Sequence, residues 1–327
     1  MRASLRALLS EVFDYAGLFP PAGLDLDTAI RNYARFLGEP ESWMLGRFIC
    51  PASRLGEIQP VLRDVFPGES KPELSVLLRT SDSADGFVEA LRGELNAVSA
   101  FRQDAGDRAG LRVFELRLPL DLCGHDDAAR LSELVDQSDS SIQQSGVEAH
   151  VPGFYELRLT ADWRRAAVSQ VQGIQQCLRG RSETRANTLG LKLRCGGLDA
   201  SAFPTCEQIA FVIEQCRDHR VPLKFTAGLH HPIRHYDAGV QTHMHGFINV
   251  FAAGVLASAL PLEFNDILAI VEEEDPRQFS FTDDFLAWNE AEATLREIEY
   301  ARKNAVISVG SCSFDEPRED LRRLDLL

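Results

Sequence analysis

Short β-rich runs alternate with amphipathic stretches along almost the whole chain, and this alternation narrows the available folds more than any other feature. Eight runs read as strands: 13–19, 46–51, 74–80, 111–118, 154–159, 188–195, 222–227 and 305–309. Helical periodicity occupies 27–37, 55–66, 83–101, 126–144, 162–178 and 205–220 between them. Thr205 with Gln208, and Ser313 with Glu316, have the spacing of a capping box. Right-handed crossovers leave few ways to arrange such a series, so the pattern predicts an α/β fold, a (β/α)8 barrel of the TIM type. A doubly wound open sheet is the other architecture the pattern allows.

One connection is irregular. Between the last two predicted strands the chain is about twice as long as in any other interval. This insertion, approximately 233–304, holds an apolar stretch at 246–262, a second helix at 262–274, the aromatic run FSFTDDFLAW and a charged helix near 289–303. Asn249 interrupts the apolar stretch, which is shorter than the ~20 residues of a membrane span and reads as a buried helix. The insertion is expected to cover a face of the barrel or to form a homo-oligomer contact. With no low-complexity linker, residues 1–327 are expected to form one domain.

Composition removes other classes. Of 327 residues, 45% are hydrophobic and 25% charged, which excludes long disorder and coiled coil. A net charge of −15 repels nucleic acid and anionic membranes, so neither is an expected partner. Seven scattered cysteines without a C-x-x-C pair, and no signal-like N-terminus, point to reduced thiols and a cytoplasmic location.

Strand parity then locates chemistry. In 113–118 the apolar phase is Phe114, Leu116 and Leu118, which leaves Glu115 and Arg117 facing the lumen. The same alternation turns Glu156 and Arg158, Lys192 and Arg194, and Lys224 and Thr226 inward; Arg79 shares its inward phase with Leu77. Six cations against two anions leave an inward excess of four positive charges, more than ion pairing can satisfy. The expected complement is a small anionic ligand held by Arg79, Arg117, Arg158 and Arg194. An internal ion-pair lattice reaching solvent at the strand ends is the structural alternative.

Lys192 and Lys224 lie on consecutive predicted strands, each followed by glycine (KLRCGG from Lys192, KFTAG from Lys224). Two lysines in one lumen would disfavour each other's charge, and a neutral amine is what imine formation with a carbonyl compound needs. Glu115 and Glu156 would move protons. KFTAG resembles the K-T-S-T-G strand, and KLRCGG the K-A-S-G-G-I-R strand, of the deoxyribose-phosphate aldolases, which are class I Schiff-base aldolases. The resemblance spans about residues 188–232, and the two motifs come in reversed order. It implies Lys224 as the imine-forming lysine and Lys192 as the lysine that lowers its pKa.

His230, His231, His235, His243 and His245 crowd the segment after the seventh strand. His230 is the expected acid/base group and His231 a substrate contact, with backbone-bonded rim histidines as the structural alternative. A divalent metal on His230, His231 and Glu156 is the other chemistry, leading to an isomerase or hydrolase; otherwise no cofactor is expected. A non-catalytic anion-binding or scaffold barrel is the third reading. After the last strand, Gly310 to Glu316 would present amides to a phosphate or carboxylate near Ser311, or would simply be capped by Ser313. Cys312 at the rim is a candidate nucleophile to which the sequence assigns no partner histidine, with a spectator thiol as the structural alternative. Asp14 and Tyr15 on the first strand are candidates for an acid/base or substrate-binding group and for a pocket wall.

Overall fold

A computed structural model of the chain describes residues 1–124, 127–147, 151–179 and 189–327. Its strands are β1 (Phe13–Tyr15), β2 (Leu45–Pro51), β3 (Glu73–Leu77), β4 (Gly110–Arg117), β5 (Gly153–Glu156), β6 (Leu189–Arg194), β7 (Leu223–Thr226), β8 (His235–Asp237), β9 (Thr242–Met244), β10 (Phe279–Phe281), β11 (Phe285–Trp288), β12 (Ala291–Thr294) and β13 (Val306–Ser311). The helices are α1 (Ala3–Leu9), α2 (Leu26–Leu37), α3 (Leu55–Ile58), α4 (Leu62–Val65), α5 (Ala84–Ala105), α6 (Ala128–Gln144), α7 (Trp163–Arg179), α8 (Cys206–His219), α9 (Phe247–Ala259), α10 (Phe264–Glu272), α11 (Leu295–Asn304) and α12 (Asp315–Arg323).

β1 to β7 and β13 close into a barrel in the order β1-β13-β7-β6-β5-β4-β3-β2, with every neighbouring pair parallel. This is the (β/α)8 barrel the alternation predicts, closed rather than open. Phe114, Leu116, Tyr155, Leu191, Leu193, Leu223 and Phe225 all bury outward in the core shared with the helices. The opposite phase fills the lumen. Low in it, Gly190 leaves room for the Phe154 ring, which would lie 2.5 Å from a β-carbon there.

The predicted helix at 55–66 is broken into α3 and α4 by a short turn at Gln59–Val61, because Pro60 lacks the amide a continuous helix needs. Several strands are shorter than predicted at their C-terminal ends: β1 stops at Tyr15, β3 at Leu77 and β5 at Glu156. Those truncations decide where the arginines go.

The insertion packs onto the barrel. Every residue of α9 from Phe247 to Ala257 is buried, each large aliphatic or aromatic side chain contributing ~1.5–3 kcal/mol. Phe247 meets Phe13 edge-on at 5.1 Å and Phe251 meets Phe225 at 5.5 Å. Gly254 lets α9 approach β13, since a β-carbon there would fall 2.3 Å from Val306. Asn249 is satisfied inside this apolar helix: it accepts from the Arg234 amide at 2.9 Å and donates to Ile270 and Glu273 carbonyls. β10, β11 and β12 form a small antiparallel sheet tied to α1, where the Ser4 amide donates to the Thr282 carbonyl at 3.1 Å. Among the described residues no helix is long and apolar enough to cross a membrane. All seven cysteines are free and buried.

Candidate functional site

The barrel interior holds a row of alternating charges. From the N-terminal end, Arg47 lies 3.3 Å from Asp14, and Lys224 joins Asp14 to Glu115, the latter at 3.1 Å. Lys192 then joins Glu115 at 3.0 Å to Glu156 at 2.8 Å, and Arg117 closes the row 3.4 Å from Glu156. Hydroxyls complete it: Ser75 donates to Glu115 at 2.5 Å, and Ser308 donates to Asp14 at 2.8 Å while accepting from Lys224 at 3.2 Å. The Arg47 amide donates to Asp14 at 2.7 Å. That short approach exists because residue 46 is glycine; a β-carbon there would lie 2.4 Å from the Asp14 carboxylate.

The expected excess of four positive charges is therefore corrected. Asp14, Glu115, Glu156, Lys192 and Lys224 are buried, three anions with two cations. Arg79, Arg117 and Arg194 are exposed, and Arg158 is partly exposed. Parity assigned the side of the strand but not the depth. Arg79 and Arg158 lie beyond the ends of β3 and β5, where the chain has left the lumen; Arg117 and Arg194 are the terminal residues of β4 and β6 and reach the mouth.

The lysines do not repel one another either. Their backbones are paired in register, but Glu115 stands between the two ammonium groups. Burial alone would lower the pKa of Lys192, yet Glu115 and Glu156 outweigh it and raise the value. Burial would raise the carboxyl of Glu115, but Lys224 and Lys192 pull it well below the ordinary range. Asp14 is likewise held low, by Lys224 and Arg47 against its burial. Glu156 is lowered against burial chiefly by Lys192.

A cavity of 360 Å³ opens at the C-terminal mouth, floored by Glu115, Glu156 and Lys192. Arg117 and Arg194 reach it from the rim, Thr226, His230 and Cys312 line one side, and Phe19, Pro20 and Pro21 make an apolar wall. A 230 Å³ cavity beside it shares Glu115, Glu156, Lys192 and Arg117 and adds Arg79. Lys224, fully buried, lies beneath both floors with Asp14. Larger concavities, of 660 and 580 Å³ around Arg47 and 790 Å³ around Arg217, border none of the three floor residues. Convergent buried charge at the strand C-termini, rather than volume, makes the mouth of the barrel the candidate site.

Several candidates lie elsewhere. Arg158 pairs with Asp82 at 3.0 Å, away from the cavity. Tyr15 points outward, edge-on to Phe36, and does not line the pocket. Ser311 stands behind the cavity wall, 3.4 Å from Nδ1 of His230, and donates to the Ser313 carbonyl at 2.7 Å; Ser313 accepts from the Glu316 amide, so capping engages the turn after β13. The glycines of the two lysine motifs serve first to bring backbone against backbone: a β-carbon on Gly228 would fall 2.7 Å from Gly196. Ala227 and Gly228 both have left-handed backbones there, at φ 60° and 71°.

The histidines part, except that the rings of His231 and His235 meet edge-on at 4.5 Å. His230 is buried beside Cys312 and 3.5 Å from Glu316; burial opposes its charge, but contacts with Cys312 and Glu316 raise its pKa to about 9. His231 bonds Asp320 at 2.5 Å, His243 lies 3.4 Å from Glu274, and His245 bonds the Pro204 carbonyl at 2.7 Å. The metal set His230, His231 and Glu156 is not drawn together, because each side chain has a different partner. Among the described residues no group of three His, Cys, Asp or Glu side chains is arranged to hold a metal ion.

Arg47, Ser75 and Ser308 were not singled out from the sequence, although strand parity puts Arg47 in the inward phase of Ile49, which lines the cavity. No protein-family model and no curated protein matches the chain. Among solved structures it is similar to the deoxyribose phosphate aldolase from Aeropyrum pernix, described as a unique tetrameric structure. Identity is 11% over 98% of this chain and 97% of that one, with a TM-score of 0.47. At that level the likeness assigns no activity.

Proposed function

We propose that this barrel is an enzyme of the lyase class that binds a small anionic carbonyl compound, a carboxylate or phosphate ester, and makes or breaks a C–C or C–O bond through a lysine imine. Lys192 is the reacting amine in this reading, in place of Lys224. One observation carries it: Lys192 is the buried amine at the cavity floor, with a carboxylate on either side, whereas Lys224 lies below the floor.

Lys192 is charged at rest and must lose a proton before it attacks. Arg117, half exposed, is free to leave Glu156 for the anionic group of an incoming ligand. A carboxylate that loses a cationic neighbour becomes a better base, so ligand binding itself readies Glu156 to accept the Lys192 proton. The amine nitrogen then bonds to the carbonyl carbon while the C=O pair moves to oxygen, which takes the proton shed by the newly cationic nitrogen to give the carbinolamine. Loss of that oxygen as water takes a second proton, which His230, cationic at neutral pH, supplies. The iminium then accepts the electron pair of the bond that breaks, and hydrolysis returns the amine. Arg194, with Arg117, holds the anion.

The raised pKa of Lys192 also favours a second reading, in which the ammonium stays protonated and donates to the carbonyl oxygen without an imine. Borohydride separates the two. Treated with a panel of small oxo-acids and sugar phosphates and then reduced, the protein should gain a mass adduct that Lys192→Arg lacks. Binding without an adduct selects the ammonium reading, and neither binding nor adduct across the panel removes both.

A further inference from the structure

The imine uses His230 only as a proton donor and leaves Cys312 without a role. Both line the cavity, 82 positions apart in sequence, and Sγ of Cys312 lies 3.9 Å from each ring nitrogen of His230. Glu316, on the first turn of α12, stands 3.5 Å from Nδ1 of the same ring, and Ser311 Oγ lies 3.4 Å from it. A thiol, an imidazole against it and a carboxylate that holds the imidazole are the parts of an activated cysteine. Burial pushes the thiols of Cys50 and Cys123 up to about 12 and raises those of Cys195, Cys206 and Cys216, while Cys177 bonds to Ser132. Cys206 also has a histidine, with Nδ1 of His245 at 3.9 Å, and Cys216 borders another cavity; Cys312 combines the two, since it and its histidine line the same cavity.

We infer that Cys312, His230 and Glu316 form a nucleophilic thiol site in the cavity wall whose ligands are small aldehydes. The S–H bond of Cys312 yields its proton to the imidazole, so that His230 carries its positive charge on that proton. Sγ adds to the aldehyde carbon, the C=O electron pair moves onto oxygen, and that oxygen takes the same proton back from His230, which ends neutral. The product is a hemithioacetal. The step is reversible and needs no oxidant or further reactant.

Iodoacetamide tests it on the whole protein with no carbonyl compound present: the S–C bond forms as C–I breaks, iodide leaves and the thiol proton stays on His230. Peptide mapping over time should find Cys312 alkylated about tenfold or more faster than each of the other six cysteines. His230→Asn should slow it by about tenfold; Glu316→Gln, at a largely exposed position that leaves the core intact, should slow it severalfold. Propionaldehyde should protect Cys312 and no other cysteine, equally in Lys192→Arg, which separates thiol capture from imine formation at the same cavity. Alkylation of Cys312 no faster than the rest, or unchanged in both variants, overturns the site. Absence of aldehyde protection overturns the ligand class. Failure of the borohydride adduct would leave these outcomes untouched.

Discussion

Lys192 and Lys224 share one carboxylate: Glu115 meets Lys192 at 3.0 Å through Oε2 and Lys224 at 3.1 Å through Oε1. A single anion thus turns a like-charge contact into the middle of an alternating row. Replacing it by the isosteric amide, Glu115→Gln, leaves two buried ammonium groups facing one neutral side chain. Breaking a buried pair from one side costs about 3–5 kcal/mol, and the effect should be visible as a lowered urea midpoint. A change below about 1 kcal/mol would mean that solvent already screens the row.

Acid should weaken the same row. The carboxyls of Glu115 and Asp14 lie below their ordinary values of 4.5 and 3.8 in the folded chain, so the unfolded chain binds more protons near those values. Their contribution is present above the unfolded values and is lost as pH falls through the folded ones. Urea midpoints measured from about pH 5 to about pH 3 should fall, and fall less steeply in Glu115→Gln. Parallel profiles in the two proteins would contradict the assignment. Lys192 acts at the other end: its contribution is present below 10.5 and is lost as pH rises through its raised folded value.

Glycine 46 is where backbone makes room for charge. A β-carbon would sit 2.4 Å from Asp14 Oδ1 and 3.0 Å from the Glu11 carbonyl. Gly46→Ala should therefore push Asp14 off the Arg47 amide and lower stability by about 1–3 kcal/mol. Gly93, exposed within α5 with nothing near its absent β-carbon, gives the opposite sign: Gly93→Ala should stabilise by about 0.5–1 kcal/mol. Thermal denaturation of both variants checks the contrast, and equal shifts would refute it.

His230 and His245 should titrate far apart. Contacts with Cys312 and Glu316 overcome burial at His230 and raise it to about 9, whereas burial lowers His245 to about 4. Ring-proton NMR should resolve both, with Glu316→Gln bringing His230 down. A His230 midpoint at or below 6.5 would undo its role as proton donor.

Strand alternation made the barrel legible, and with it Glu115, Glu156, Lys192 and Lys224, because charged residues interrupted an otherwise apolar register. It could not show how far each strand runs before the chain leaves the lumen, which is why Arg79 and Arg158 were placed too deep. Nor does periodicity report contacts between strands distant in sequence. The 210 positions between Asp14 and Lys224, and the 82 between His230 and Cys312, hid the pairs that organise the site. The histidine cluster shows the converse limit: of neighbours in sequence, only His231 and His235 keep their rings in contact, at 4.5 Å, while His230, His243 and His245 turn to other partners.

The most direct measurement is the location of the borohydride-reduced adduct. The chain has lysine at only four positions, Lys71, Lys192, Lys224 and Lys303, so a peptide map of the trapped protein is unambiguous. The account predicts the adduct on Lys192 and its loss in Lys192→Arg. An adduct on Lys224, or a trapped protein whose adduct persists in Lys192→Arg, would contradict it.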